Sequence, residues 1–300
     1  MYLKNLLGSL ILFVSLSACA GNAKESNSLL WKVSGNGLDA PSYLFGTHHL
    51  VPVSFLDEIE GLEDAFNSSQ QVIGELDMSR MQSMQMQIIQ KAMLPGEYDY
   101  KTLLGDDDYK LLEDKVAEVI GMSFDQLGRM KPAMINNLMM ISLYQQYYPT
   151  AVGKGIDEHF QDEARKRDMN VVGLETADDQ IYVLLEMQSI ERQAEVLMCS
   201  LKHPELLKEQ MDKLQTAYHA QDLAALDALY NEKNEDDPCP STDDEKYELN
   251  DARNQKWLAL LPEMMQSKPS FVAVGCLHLV GKNGLIEGLR KVGYKVEAVR

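Results

Sequence analysis

Apolar residues near the amino end fall in short dense runs separated by turn formers. Trp31-Lys-Val-Ser and Ser42-Tyr-Leu-Phe-Gly46 flank Gly35-Asn-Gly37, a pattern that predicts two strands joined by a hairpin turn. Ser54 is placed to cap a helix running to about Phe66, with Phe55, Ile59, Leu62 and Phe66 on one face. Gln71-Val-Ile-Gly-Glu-Leu predicts a third strand. The period is then helical from Ser79 to about Tyr148, with breaks at Pro95-Gly96, Gly105 and Gly121. Gly153 and Gly155 open a helix over 156–168, and Asn170-Val-Val-Gly-Leu predicts a further strand. Helical spacing returns over 178–230 and 243–266, and the chain closes with strand 270–275, helix 285–292 and strand 294–299. Strands at both ends with helices between them predict an α/β (α+β) fold. Its central mixed sheet is built from N- and C-terminal strands, with flanking helices and a large helical insertion across 79–266 that carries one strand near 170–174.

The first residues form a different kind of segment. Lys4 precedes an apolar stretch, Leu6 to Leu16, and Leu16-Ser-Ala-Cys19 follows. The stretch is too short to span a bilayer and ends in small residues, as in a secretory signal. A Cys directly after the small pair is the lipobox form of the cleavage site. Residues 1–18 are therefore expected to be a signal peptide, Cys19 the lipidated N-terminus, 19–28 a tether and 29–300 the folded domain. Ala20 follows the Cys where an Asp would favour retention at the inner membrane, so the expected location is the outer membrane, facing the periplasm. The membrane contact is through the lipid alone.

The 300 residues are 45% hydrophobic and 25% charged, which are globular values. The net charge of −18 argues against nucleic acid as a partner. Much of the excess lies in one run from Asn234 to Glu248, read as a solvated loop. In an oxidising compartment Cys199, at a helix end, is expected to pair with Cys239 in that loop, leaving Cys276 as a buried thiol. Met78, Met81, Met84, Met86 and Met93 follow helical spacing and are read as core or partner packing ahead of a copper(I) site. Leu138-Met-Met-Ile with Leu143 and Tyr144 reads as a buried helix.

Candidate chemistry lies in an internal echo. Tyr-Leu-Phe-Gly-Thr-His-His-Leu (43–50) and Val-Ala-Val-Gly-Cys-Leu-His-Leu (272–279) each give an apolar strand, then Gly, two residues, His and Leu. Histidines so placed sit over the carboxyl edge of a sheet, where α/β proteins build their sites. Glu75, ending the third strand, joins His49 and His278 if the three strands are neighbours. Two imidazoles and a carboxylate are a common catalytic metal set with coordination positions left for water and substrate. Asp77 is a candidate second carboxylate, to orient a histidine or take a proton. The competing reading is that both histidines are satisfied residues at tight turns.

The paired Gly-x-x-His motifs, the intervening Glu75 and the overall length resemble the TraB/GumN family, which includes the Tiki proteins. Met130-Lys-Pro132, Gly155-Ile-Asp157, Gly173-Leu-Glu175-Thr and Arg253-Asn254 extend the likeness over about Leu30 to Val299. The resemblance implies a metal-dependent peptidase using manganese or cobalt ahead of zinc, with His49, His278 and Glu75 as metal and catalytic residues, acting on a peptide or protein of the envelope. His48 stands at the variable position of its motif and is not an expected ligand. Arg253 is implied to clamp a substrate carboxylate or hold Glu75, and Asn254 to donate to an oxyanion. Asp157 and Glu175 are read as structural carboxylates at helix starts. The wider superfamily also includes erythromycin-esterase-like hydrolases and haem-binding lipoproteins. A metal-independent hydrolase with His49 or His278 as base, and a non-catalytic binder of haem or a protein partner, therefore stay open.

Overall fold

The computed structural model describes residues 27–127, 129–149, 155–233 and 237–300, with the backbone alone for 81–84. The expected signal peptide, Cys19, most of the tether and Gly153 lie outside the described residues. Among the described residues, six strands form one sheet: β1 (Leu30–Ser34), β2 (Ser42–Thr47), β3 (Gln71–Gly74), β4 (Asn170–Gly173), β5 (Ser270–Gly275) and β6 (Lys295–Ala298). Their order is β4-β3-β5-β2-β1-β6. β2, β5, β3 and β4 run parallel, and β1 pairs antiparallel with both β2 and β6. The mixed sheet is thus as expected, and β5 lies between β2 and β3, which makes the three motif-bearing strands neighbours.

Leu44, Phe45, Val72, Ile73, Phe271 and Val272 are fully buried. Consecutive apolar residues without alternation are what a sheet covered on both faces requires. Each such side chain contributes roughly 1.5–3 kcal/mol on burial. Phe160 of α6 (Ile156–Lys166) packs its ring against Phe45 and Phe271, at 5.5 and 4.7 Å between centroids.

The expected helix from Ser54 to Phe66 is two pieces, a 3-10 turn over Val53–Glu58 and α1 (Leu62–Asn67). Gly61 between them takes φ +74°, a left-handed conformation that ends helical continuity there. The insertion comprises α2 (Met81–Lys91), α3 (Tyr100–Leu104), α4 (Asp106–Ile120), α5 (Pro132–Tyr147), α6, α7 (Ala177–Ile181), α8 (Ile190–Lys202), α9 (Pro204–His219), α10 (Leu223–Tyr230), α11 (Asp243–Lys246) and α12 (Ala252–Ser267). α13 (Leu285–Lys291) precedes β6. π-helical turns at Tyr182–Glu186 and Tyr247–Asp251 interrupt the stretches that the pattern reads as continuous helix. Leu112, Val116, Ile135, Met139, Leu197 and Met198 belong to a core separate from that of the sheet.

Cys199 and Cys239 are bonded, with Cα atoms 5.8 Å apart, and fasten the acidic loop to α8. Cys276 is free and buried, and burial pushes its thiol up to about 12, so it packs as an inert filler. Of the methionine stripe, Met86 and Met93 are exposed and so lie outside the core, and the side chains of Met81 and Met84 are outside the described residues. Among the described residues, no helix is long and apolar enough to cross a membrane.

Candidate functional site

The parallel pairing of β2 with β5 sets Thr47 opposite Gly275, so the two Gly-x-x-His motifs end side by side, one residue out of step. His49 lies just beyond β2, and His278 closes a 3-10 turn over Cys276–His278. β3 ends at Gly74, and Glu75 leaves it into the same edge. Gly275 makes this convergence possible. Its N–H donates to Glu75 Oε1 at 2.8 Å, and a Cβ there would stand 3.2 Å from the same oxygen.

His278 is buried and its protonation is fixed by Asn254. The Asn254 amide donates both N–H groups, to the carbonyls of His278 and Asn283, so its Oδ1 must face the imidazole. Nδ1 of His278 lies 2.8 Å from that oxygen and carries the proton, which leaves an Nε2 lone pair directed at Arg253 Nη1, 3.0 Å away. Burial holds the ring neutral, at about 3, with Arg253 and His49 adding to the effect against Glu75. His49 has the complementary arrangement. Its Nδ1 donates to Asp157 Oδ2 at 2.7 Å while the side chain stays 64% exposed. The Asp157 charge raises this imidazole to about 9 despite desolvation. Thr47 Oγ1 donates to the other Asp157 oxygen at 2.7 Å.

Glu75 is an ionised carboxylate. Burial pushes it up, but its coupling to the titrating His278 ring, the positive charges of Arg253 and His49, and the Gly275 N–H outweigh that and hold it at about 2. With His278 kept neutral by burial, Arg253 is the permanent cation of the set. Its Nη2 donates to Glu75 Oε2 at 2.6 Å and to Glu175 Oε2 at 3.0 Å, and Nε donates to Glu175 Oε1 at 2.7 Å. Nη1 takes the Leu249 carbonyl and faces His278. All five N–H groups are therefore engaged within the protein. Arg253 holds Glu75, as one of its two expected roles has it, and has no donor left for a substrate carboxylate. Asn254 is likewise spent inward, so its expected donation to an oxyanion is corrected to positioning of His278.

Three further expectations change. Asp77 bonds Arg165 at 2.6 Å and the Ser79 backbone, so it orients neither histidine. Asp157 is in the first turn of α6, but its side chain serves His49 and Thr47 and no helix N–H. Glu175 receives Arg253, Trp257 Nε1 at 3.1 Å and Gln180 Nε2 at 2.7 Å, and is the buried counter-charge of the site. His48 accepts from the Leu50 N–H, and its ring packs against Tyr144 and Tyr218. Gln180 is a residue that motif reading missed. It lines the cleft with His49, Glu75 and Asp157, a space of about 310 Å³, and its Nε2 also lies 3.5 Å from Glu75. The sequence signal was its place in the helix that follows Gly173-Leu-Glu175-Thr.

The donor chemistry suits a divalent cation. Each imidazole has Nδ1 pinned by an outer oxygen, the usual support of metal-bound histidine, but a cation would have to take the His278 Nε2 lone pair from Arg253 Nη1 and the Nε2 proton from His49. As the side chains stand, no group of three or more His, Cys, Asp or Glu among the described residues is close enough to hold an ion. The Nε2 of His278 and Glu75 Oε1 are 3.9 Å apart, and the Arg253 guanidinium bonds both residues.

Two zebrafish (Danio rerio) proteins are similar to this chain. "Metalloprotease TIKI2" is 25% identical over 91% of the chain and 61% of its own length. "Metalloprotease TIKI1" is 24% identical over 94% of the chain and 65% of its own length. The chain thus spans less than two thirds of these relatives. No solved structure matches it. The TraB/PrgY/gumN family model matches residues 29–298, from the residue before β1 to the end of β6, and the chain belongs to that family.

Proposed function

We propose that the protein is a metal-dependent hydrolase that cleaves a peptide or protein substrate at the cell envelope, with its centre at the carboxyl edge of the sheet. The observation that carries this reading is the convergence of two strand-end imidazoles, each with Nδ1 pinned, beside the ionised Glu75. The family and the two metalloprotease relatives support it. A bound divalent cation, manganese or cobalt ahead of zinc, supplies a Lewis acid for the scissile carbonyl and a more acidic water, and His49, Glu75 and His278 are the residues that would hold it.

The chain's own groups do the rest. Asp157 fixes the plane of His49, and Asn254 fixes the tautomer of His278. Glu75 is kept as a carboxylate, able to bind a cation or take a proton, by Arg253 and the Gly275 N–H. Glu175 shares the Arg253 guanidinium with Glu75, so each buried carboxylate is paired through the same cation. Gln180 lies at the cleft wall with its amide turned to Glu175 and Glu75, where it helps hold the two carboxylates. The lipobox at Cys19 supports attachment to the outer membrane, facing the periplasm, through lipid alone.

One observation favours a second reading, a metal-free hydrolase. Arg253 already supplies a cation between Glu75 and His278, and the Asp157–His49 pair has the form of an acid–base dyad. Peptide hydrolysis by wild type, with manganese or cobalt and with EDTA, separates the two. The metal reading expects cleavage that EDTA abolishes and cobalt restores, with a loss on the order of 10²–10⁴-fold in Glu75→Gln. Cleavage indifferent to EDTA selects the metal-free dyad, and no cleavage under any condition overturns both.

A further inference from the structure

α5, read from its apolar pattern as a buried helix, is buried on only part of its surface. Leu138 and Ile141 look into a groove whose opposite wall is Ile181 and Leu184, from α7 and the π turn that extends it. Ile141 and Leu184 are 43% and 50% exposed, so each wall carries one residue half open to solvent, while Ile181 lies buried at the base. The groove encloses about 380 Å³ and is apolar except for Asn137 and Gln180. Leu76 and Gln180 line both this groove and the cleft that holds His49 and Glu75. The two spaces are therefore neighbours that share these two residues, and Leu76 directly follows the central carboxylate in the chain.

That adjacency decides the occupant. Exposed apolar surface beside a polar reactive cleft marks a binding site, and pockets that select substrates pair an apolar wall with a few fixed polar groups. A chain laid across Glu75 runs over Leu76, which brings the side chain next to the reacting bond to the mouth of the groove. We propose that the groove is the specificity subsite of this centre, taking one large aliphatic or aromatic side chain of a peptide substrate beside the bond that is cleaved. The proposal rests on the peptidase reading and gives the helical insertion a role in substrate selection. Leu138, Ile141 and Leu184 are its specificity-determining residues.

The test uses the full chain and fluorescein-labelled alanine octapeptides in which Leu, Phe, Ser or Asp occupies each position in turn. Cleavage is followed with manganese, and binding of the same peptides is followed separately by anisotropy in EDTA. Leu184→Ser and Ile141→Ser are compared with wild type; both sites are half open to solvent, and an unchanged thermal midpoint confirms folding. The expected result is that Leu or Phe at one position raises kcat/KM and tightens binding on the order of 10–100-fold over Ser or Asp, and that the variants erase most of that gap. Cleavage at equal rates for all four residues overturns the subsite and leaves the hydrolase standing. Apolar-selective binding without cleavage, lost in the variants, keeps the subsite and removes the peptidase. A preference that survives both substitutions overturns the proposal, as does the absence of any preference in either measurement.

Discussion

The sheet edge and the α4, α5 and α8 part of the helical insertion are stabilised in opposite ways. At the edge, charged groups are buried and each partner is specified: Glu175 is 3% exposed and Glu75 13%, and the five Arg253 donors are all taken. Among α4, α5 and α8, a plain apolar core of Leu112, Val116, Ile135 and Leu197 does the holding, and ion pairs such as Lys110–Asp114 decorate the surface. The first arrangement fixes positions to a fraction of an ångström, as chemistry needs. The second confers stability through burial that many sequences could provide. Substitutions should therefore behave differently in the two regions, by steep loss at the edge and by local loosening in the insertion.

The largest effect is expected from Arg253→Met. It strands two buried carboxylates and should cost about 3–5 kcal/mol in urea unfolding, whereas Lys110→Met, at an exposed pair, should cost no more than about 1 kcal/mol. Equal costs would erase the contrast. Next comes Cys239→Ser, which opens the cross-link across 40 residues. It should lower stability by about 2–4 kcal/mol while leaving hydrolysis by the folded protein near the wild-type rate. A parallel collapse of activity would show that the insertion supports the edge directly.

Asp157→Asn should act without unfolding anything, through the orientation and charge of His49. Metal affinity is expected to fall about 10–100-fold, read by calorimetry with manganese, while the melting midpoint stays close to wild type. The smallest effect concerns Glu245, held at about 2 first by the Arg192 hydrogen bond. Its folded value lies below the ordinary carboxylate value of 4.5, so its stabilising contribution is complete above that pH and disappears as pH falls toward 2. The stability gap between wild type and Glu245→Gln should be constant from pH 7 to 5 and narrow below 4.5, in acid titrations of unfolding.

The edge was legible where its signals are local. An apolar run, a glycine and a histidine at fixed spacing identify a strand end, and the same device at both ends of the chain pointed to His49 and His278; the strand before Glu75 did the same for the carboxylate. The Cys199–Cys239 pair was readable from one helix end and one loop. Asp157 was not, because a carboxylate in a first helical turn looks like a cap, and only the packing of α6 against the end of β2 sends it to His49. Asp77 misled for the mirror-image reason: it sits two residues beyond Glu75, yet Arg165 on α6 draws it away. Arg253 and Asn254 were found through resemblance, but their inward roles depend on a count of donors that only coordinates give. The π turns before Arg253 and after Gln180 each insert a residue without altering the apolar pattern enough to be noticed.

The central claim is that the strand-end side chains form one metal-competent catalytic centre. Calorimetric titration of manganese and cobalt into the full chain, with His49→Ala and His278→Ala alongside, tests it most directly. The account predicts one site per chain in wild type and loss of binding in both variants, since each removes one ligand of the same ion. Wild-type binding that survives both substitutions, or folded wild type that binds neither metal, would contradict it.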